Sequence, residues 1–233
     1  MKTRLILSAC LLAIAISCAC DNTKTGKNND NTSDFGKATL LMNDSDVTRI
    51  KEAIATDGIW KKYHDAIMVG ANKVVTSPMP EMYMPDNRLL GVSREELRRL
   101  FLLSYAYRIT GVERFAQRAE KEMGAIAGFA TWNPDHFLDV AEMTTAMAVG
   151  YNWCYDVLSE TSRNTIVNAI AEKGLAPGLT YTYWVERTNN WNQVCNAGMV
   201  MGALAIRDVK PEIAQKLLDQ ADKSIDLAMD AYG

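Results

Sequence analysis

The stretch Thr188-Asn189-Asn190-Trp191-Asn192-Gln193-Val194-Cys195-Asn196-Ala197-Gly198-Met199 decides how this chain is read. Four Asn, one Gln and a Trp crowd the entry of a segment that turns strongly apolar by Met199-Val200-Met201. Asn is a poor helix-interior residue, because its amide competes for the backbone's hydrogen bonds. A helix starting near Asn190 nevertheless sets Asn192 and Asn196 four apart, with Asn189 three before Asn192. These amides then line one face while Val194, Met201 and Leu204 fill others. A row of neutral amides beside an indole suits sugar hydroxyls and carboxylates. Two uses compete for them. Asn189 or Asn190 can cap the helix while the others bond neighbouring loops, or all can line a polar cleft. Their concentration favours the cleft.

Working outward, Ala197, Gly198, Gly202 and Ala203 allow close helix–helix approach. Pro211 sits at a tolerated first-turn position and opens a last helix through Ile213, Leu217, Ala221, Ile225 and Ala228 to Tyr232-Gly233. On the other side, Pro177 to Arg187 is rich in aromatics (Tyr181, Tyr183, Trp184). They form either a sugar-stacking platform or packing against helix ends. A helix of about Thr161 to Lys173 is expected to stop at Gly174. Before it, Trp132-Asn133-Pro134-Asp135 breaks the chain, and Asp135 is placed to cap a helix from about His136 to Leu158. In that helix His136, Asp139 and Glu142 are spaced by three and share a face. Phe137, Val140, Ala141, Met147 and Tyr151 bury the other side. The trio is either a helix-start charge pattern or part of a cleft.

Nearer the N-terminus, Val47, Ile50 and Ile54 mark a short helix stopped by Asp57-Gly58. Trp60, Tyr63, Ile67, Ala71 and Val74 follow amphipathic helix spacing, with His64 as a structural neighbour. Thr76 to Val92 contains Pro78, Pro80 and Pro85 and reads as a long loop. Ser93-Arg94-Glu95-Glu96 has the form of a capping box for a helix ending at Thr110-Gly111. The next helix spans about Glu113 to Ala130. Arg94, Arg98, Arg99, Arg114 and Arg118 are interleaved with acids and predict a solvated face. No strand-period stretch is visible. The fold class is therefore all-α, with successive helices forming antiparallel hairpins, as in an α/α toroid or solenoid.

The chain has 233 residues, a formal charge of −3 and a pI near 5.5, which leaves no electrostatic footprint for nucleic acid. Lys2 and Arg4 precede an apolar run, Leu5 to Ile16, ending in Ser17-Cys18-Ala19-Cys20. Residues 1–20 thus read as an export signal. Cys18 or Cys20 is the lipid acceptor if it is a lipoprotein signal, and ordinary secretory cleavage is the alternative. Either way the expected location is exported: periplasmic, or anchored to the outer membrane through an N-terminal lipid alone. Residues 21–38 are a polar, flexible tether, and 39–233 form the helical domain. Cys154 and Cys195 read as small core residues. His64 and His136 are the only histidines, so no metal cluster and no cofactor are expected.

Three blocks together carry a resemblance: Phe101-Leu102-Leu103-Ser104-Tyr105-Ala106-Tyr107-Arg108-Ile109-Thr110-Gly111, Trp132 to Met143, and Asn189 to Met199. In this order they resemble heparinase II/III-type polysaccharide lyases over about residues 45 to 233. The resemblance implies an N-terminal α/α toroid followed by a β-sandwich, and β-elimination on an acidic, uronic-acid-containing polysaccharide. Asn190 would neutralise the uronate carboxylate. Asn189, Trp191, Asn192, Asn196, His136, Asp139, Glu142, Tyr183 and Trp184 would contact the substrate. Related lyases often carry His directly after the Asn, where this chain has Trp191, which is expected to pack under a sugar ring. A Glu-Gly-x-x-Tyr-type segment with a catalytic Tyr belongs tens of residues further on. The expectation is thus the incomplete toroid of a longer lyase, its β-sandwich missing here. Tyr181, Tyr183 and Tyr232 are not told apart as substitutes for that Tyr. Two other functions fit the same residues. One is a non-catalytic glycan-binding helical lipoprotein. The other is an unsaturated-uronyl hydrolase, in which Asp139 or Glu142 activates water.

Overall fold

The computed structural model describes residues 40–230, so the signal, with Cys18 and Cys20, the whole of the tether and Tyr232 lie outside it. Among the described residues every regular element is helical. The helices are α1 (Asp44–Thr56), α2 (Gly58–Val75), α3 (Leu90–Thr110), α4 (Glu113–Ala127), α5 (Leu138–Cys154), α6 (Glu160–Ala169), α7 (Ala176–Thr180), α8 (Asn190–Ile206) and α9 (Pro211–Met229). A π-helical segment, Ile170–Leu175, joins α6 to α7 without a break. No described helix is long and apolar enough to cross a membrane.

Helix α5 is the centre. All its residues except Glu142 and Thr145 are buried, because Ala, Met, Val and Gly occupy every side of it rather than one stripe. It lies between α3 and α8. Arg94 meets Glu142 and Ser104 meets Cys154, while Gly198 lies against Ala141 and Gly202 against Thr144. Residue numbers rise together across both interfaces, so α3, α5 and α8 run parallel. Helix α4 returns against α3, and α9 against α8, as the Gln193–Met229 and Asn196–Ser224 contacts require. Helices α4 and α6 also touch.

Small residues make the α5–α8 approach possible. A Cβ on Gly198 would collide with the Ala141 backbone, as the run of small residues in α8 anticipates. The core this creates includes Met143, Met147, Phe137, Trp132, Leu175 and Met199. Full burial of each side chain of this size stabilises by about 1.5–3 kcal/mol. Cys154 and Cys195 are free and buried within it, and burial pushes both thiols well above their usual range.

Several helix limits differ from expectation, each for a packing reason. Ser93 does not cap α3, which begins three residues earlier. Leu89 is fully buried and Ser93 is fully buried inside the first turns, so apolar packing extends the helix beyond the motif. Asp135 does not cap α5, since a 3₁₀ turn, Pro134–His136, leads into it. Gly174 does not stop the helix either. It lies inside the π segment, buried against Thr144 and Trp132. Helix α4 ends at Ala127, where Gly128 forms its C-cap. Trp60 and Tyr63 are exposed on α2, whose buried residues are only Ala71 and Val74.

The arginine reading changes most. Arg99 and Arg118 are not on a solvated face but enclose the fully buried carboxylate of Glu122 between α3 and α4. The two guanidinium groups also donate to the carbonyls of Val75, Ser77 and Pro78, which pins the start of the loop. Glu96 lies 3.6 Å from Arg99 in the same enclosure. Burial, reinforced by the Glu122 charge, pushes its carboxyl up to about 8.

Candidate functional site

The N-terminal ends of α5 and α8 meet at one end of the parallel row. Asn189 caps α8 through its side chain, 3.1 Å from the Trp191 amide, which settles the choice between it and Asn190. The cap turns the chain so that Trp191 projects back over the 3₁₀ turn before α5. There the indole meets the His136 ring edge-on, with centroids 5.0 Å apart, and lies 6.0 Å from Tyr183. Tyr183, Arg187, Asn189 and Trp191 line an open cleft of about 270 Å³.

His136 is held from behind. Its Nδ1 lies 2.6 Å from Asp139 Oδ1. The other oxygen, Oδ2, accepts from the Leu89 amide at 2.7 Å and the Asn133 amide at 2.8 Å. Asp139 is fully buried, and both its oxygens have hydrogen-bond partners. A carboxylate at Nδ1 favours the proton on that nitrogen and leaves Nε2 with its lone pair. Nε2 has no protein partner among the described residues. A histidine oriented in this way is equipped to accept a proton.

Tyr183 is tied down as well. Its hydroxyl accepts from the Phe137 amide at 2.8 Å and donates to the Asp135 carbonyl at 3.1 Å. Burial raises its phenol above the ordinary value, although the Phe137 bond opposes the rise. It therefore stays protonated and holds the 3₁₀ turn. Glu142 does not join the His136–Asp139 pair. It bonds Arg94 Nε at 2.9 Å, and burial raises its carboxyl despite that arginine.

The remaining expected contacts are placed elsewhere, and three need correction. Asn192 is fully buried, its amide nitrogen bonded to the Val185 carbonyl and to Ser224. Asn196 is buried beside it, donating to Asn192 Oδ1 and Ser224 Oγ. These two amides knot α8 to α9 and to the preceding loop, and neither is open to a ligand. Trp184 is fully buried and stacked on Phe137 with centroids 5.0 Å apart, so it is core and not a platform. Asn190, the expected neutraliser, is exposed in the first turn of α8, beside the cleft rather than in its lining. Its amide makes no hydrogen bond among the described residues.

Two participants went unseen in the sequence. Arg187 brings an exposed guanidinium, without an ion pair among the described residues, to the cleft wall. Its signal was only its position, two residues before the cap. Asn133 gave no signal beyond standing before a proline. Among the described residues no cluster of His, Cys, Asp and Glu has the form of a metal site. No family model matches the chain, and no curated protein matches it.

Proposed function

We propose that this chain is the toroid portion of an exported lyase that cleaves uronic-acid polysaccharide, heparin- or alginate-like, by β-elimination, as heparinase II/III-type enzymes do. The helix row α3–α5–α8 would be the inner wall of that toroid. One observation carries the reading: an aromatic cleft with a free guanidinium abuts a histidine whose tautomer is set by a buried carboxylate.

The chemistry follows from the charges. Elimination removes the proton on the ring carbon next to the uronate carboxylate, and the leaving oxygen departs from the neighbouring carbon as a C=C bond forms, taking its proton from the tyrosine of the Glu-Gly-x-x-Tyr-type segment that the resemblance implies. The ring proton is weakly acidic, so the carboxylate must first be neutralised. Arg187, with the free amide of Asn190 at the helix start, is suited to that. Charge-assisted contacts of this type are worth about 1.5–3 kcal/mol each. Trp191 offers a face for a sugar ring, and His136 Nε2 is the proton acceptor. Tyr183 is a support in this scheme, because its hydroxyl is already engaged.

The test is to follow ultraviolet absorbance from the new C=C bond on acidic polysaccharides, beside direct binding measurements. Binding by this chain is expected. Turnover is expected in a form extended through the Glu-Gly-x-x-Tyr-type segment that the resemblance implies, and its absence there would remove the lyase reading. The openness of the cleft favours a second reading, a glycan-binding module, marked by binding without turnover in every form. Loss of absorbance from pre-unsaturated oligosaccharides would instead indicate the hydrolase. Export and anchoring are tested by metabolic labelling with a palmitate analogue, expected in the native chain and lost when both Cys18→Ser and Cys20→Ser are present.

A further inference from the structure

The Asn133 amide lies where two strained turns meet. Asn133 is buried at φ 63°, and Asp86 and Asn87 across from it have φ 53° and 57°. These are three of the four non-glycine residues with left-handed backbone among those described. Such conformations are uncommon and cluster at sites whose geometry is over-determined. The Asn133 Nδ2 group donates to the Asn87 carbonyl at 2.9 Å and to Asp139 Oδ2 at 2.8 Å. Two acceptors on one side fix which end of the amide is nitrogen. The Asn133 carbonyl also accepts from the His136 amide at 3.1 Å, so the same residue supports the histidine's backbone.

We propose that Asn133 is a positioning residue for His136, acting through Asp139. This rests on the reading of His136 as the proton acceptor. With Asn133 and the Leu89 amide both on Oδ2, the carboxylate has one orientation, and Oδ1 faces His136 Nδ1. Without the Asn133 amide, Oδ2 keeps a single donor and the carboxylate can turn. The Nδ1–H tautomer then loses its advantage, and Nε2 is no longer reliably unprotonated. A purely architectural Asn133 would join the two turns without affecting the imidazole.

The decisive experiment is nitrogen-15 NMR of the histidine rings in the chain. Only His64 and His136 are present, and His64 bonds Tyr105, which makes it an internal reference. In the native chain the neutral form of His136 is expected as one tautomer, protonated at Nδ1. Asn133→Gly deletes the amide while keeping the left-handed backbone accessible. The preference for that tautomer is expected to fall about tenfold, the worth of one hydrogen bond, with His64 unchanged. An unshifted tautomer in a folded Asn133→Gly chain would overturn the proposal. Should that variant not fold, the native chain still decides. As His136 is titrated, the Asn133 side-chain amide signals should move with the same midpoint, and signals that stay flat refute the coupling. Neither readout needs turnover, so failure of the lyase reading, seen in the absorbance assay, stays distinct from failure of this one.

Discussion

Asn189, Asn190, Asn192 and Asn196 are one residue type in three roles, and their spacing alone did not separate them. Asn189 caps, Asn190 is free in the first turn, and the other two are buried with Ser224. The helical register was legible, because it follows from chain geometry. Which faces would be covered was not, since that depends on α9 arriving from 28 to 32 residues further on. The roles predict opposite phenotypes. Asn192→Ala removes a donor from the Val185 and Ser224 carbonyls and the acceptor of the Asn196 amide, and should cost about 1–3 kcal/mol, measured by urea unfolding. Asn190→Ala should leave stability within about 0.5 kcal/mol, while abolishing turnover in the extended form more than it weakens binding. Arg187→Ala should weaken binding of an acidic oligosaccharide by about tenfold or more, read by calorimetry, and an unchanged affinity would remove Arg187 from the site.

At the scale of elements, local motifs were reliable where packing agreed with them and failed where it did not. Thr110-Gly111 ends α3 as read, with Gly111 in the left-handed C-cap conformation at φ 71°. Ser93-Arg94-Glu95-Glu96 matches a capping box equally well, yet Leu89 and Leu90 carry the helix past it. Burial of a leucine outweighs one cap, at about 1.5–3 against about 1 kcal/mol. Gly198 is a position where the element interface admits no side chain. Gly198→Ala must push α8 from α5, and should destabilise by about 1–3 kcal/mol in denaturant unfolding. The same substitution should also blunt the His136–Trp191 contact, because both rings sit at the mouth of that interface.

For the whole molecule, the all-helical class was legible from periodicity. The charged enclosure of Glu96, Arg99, Arg118 and Glu122 was not, because alternating charges look alike on a wet face and between two helices. It has a consequence for stability. Glu96 titrates near 4.5 in the unfolded chain and about 8 in the folded one. The folded state therefore holds the proton more tightly between these values. The associated stability is fully present below about 4.5 and is lost as pH rises through about 8. The unfolding free energy should fall across that window. Glu96→Gln should flatten the fall, making the variant no less stable than the native chain at the alkaline end. An unchanged slope would mean that Glu96 is ionised in the native interior.

The parallel course of α3, α5 and α8 gives the two ends of the molecule different electrical characters. Peptide dipoles add along each helix, roughly half a positive charge at each N-terminus, and the ends of α5 and α8 meet at the cleft that Arg187 lines. On the proposed lyase reading, one end of a chain of net charge −3 would receive the polyanion while the rest repels it. Approach would be oriented before contact, with an association rate that falls as salt is raised.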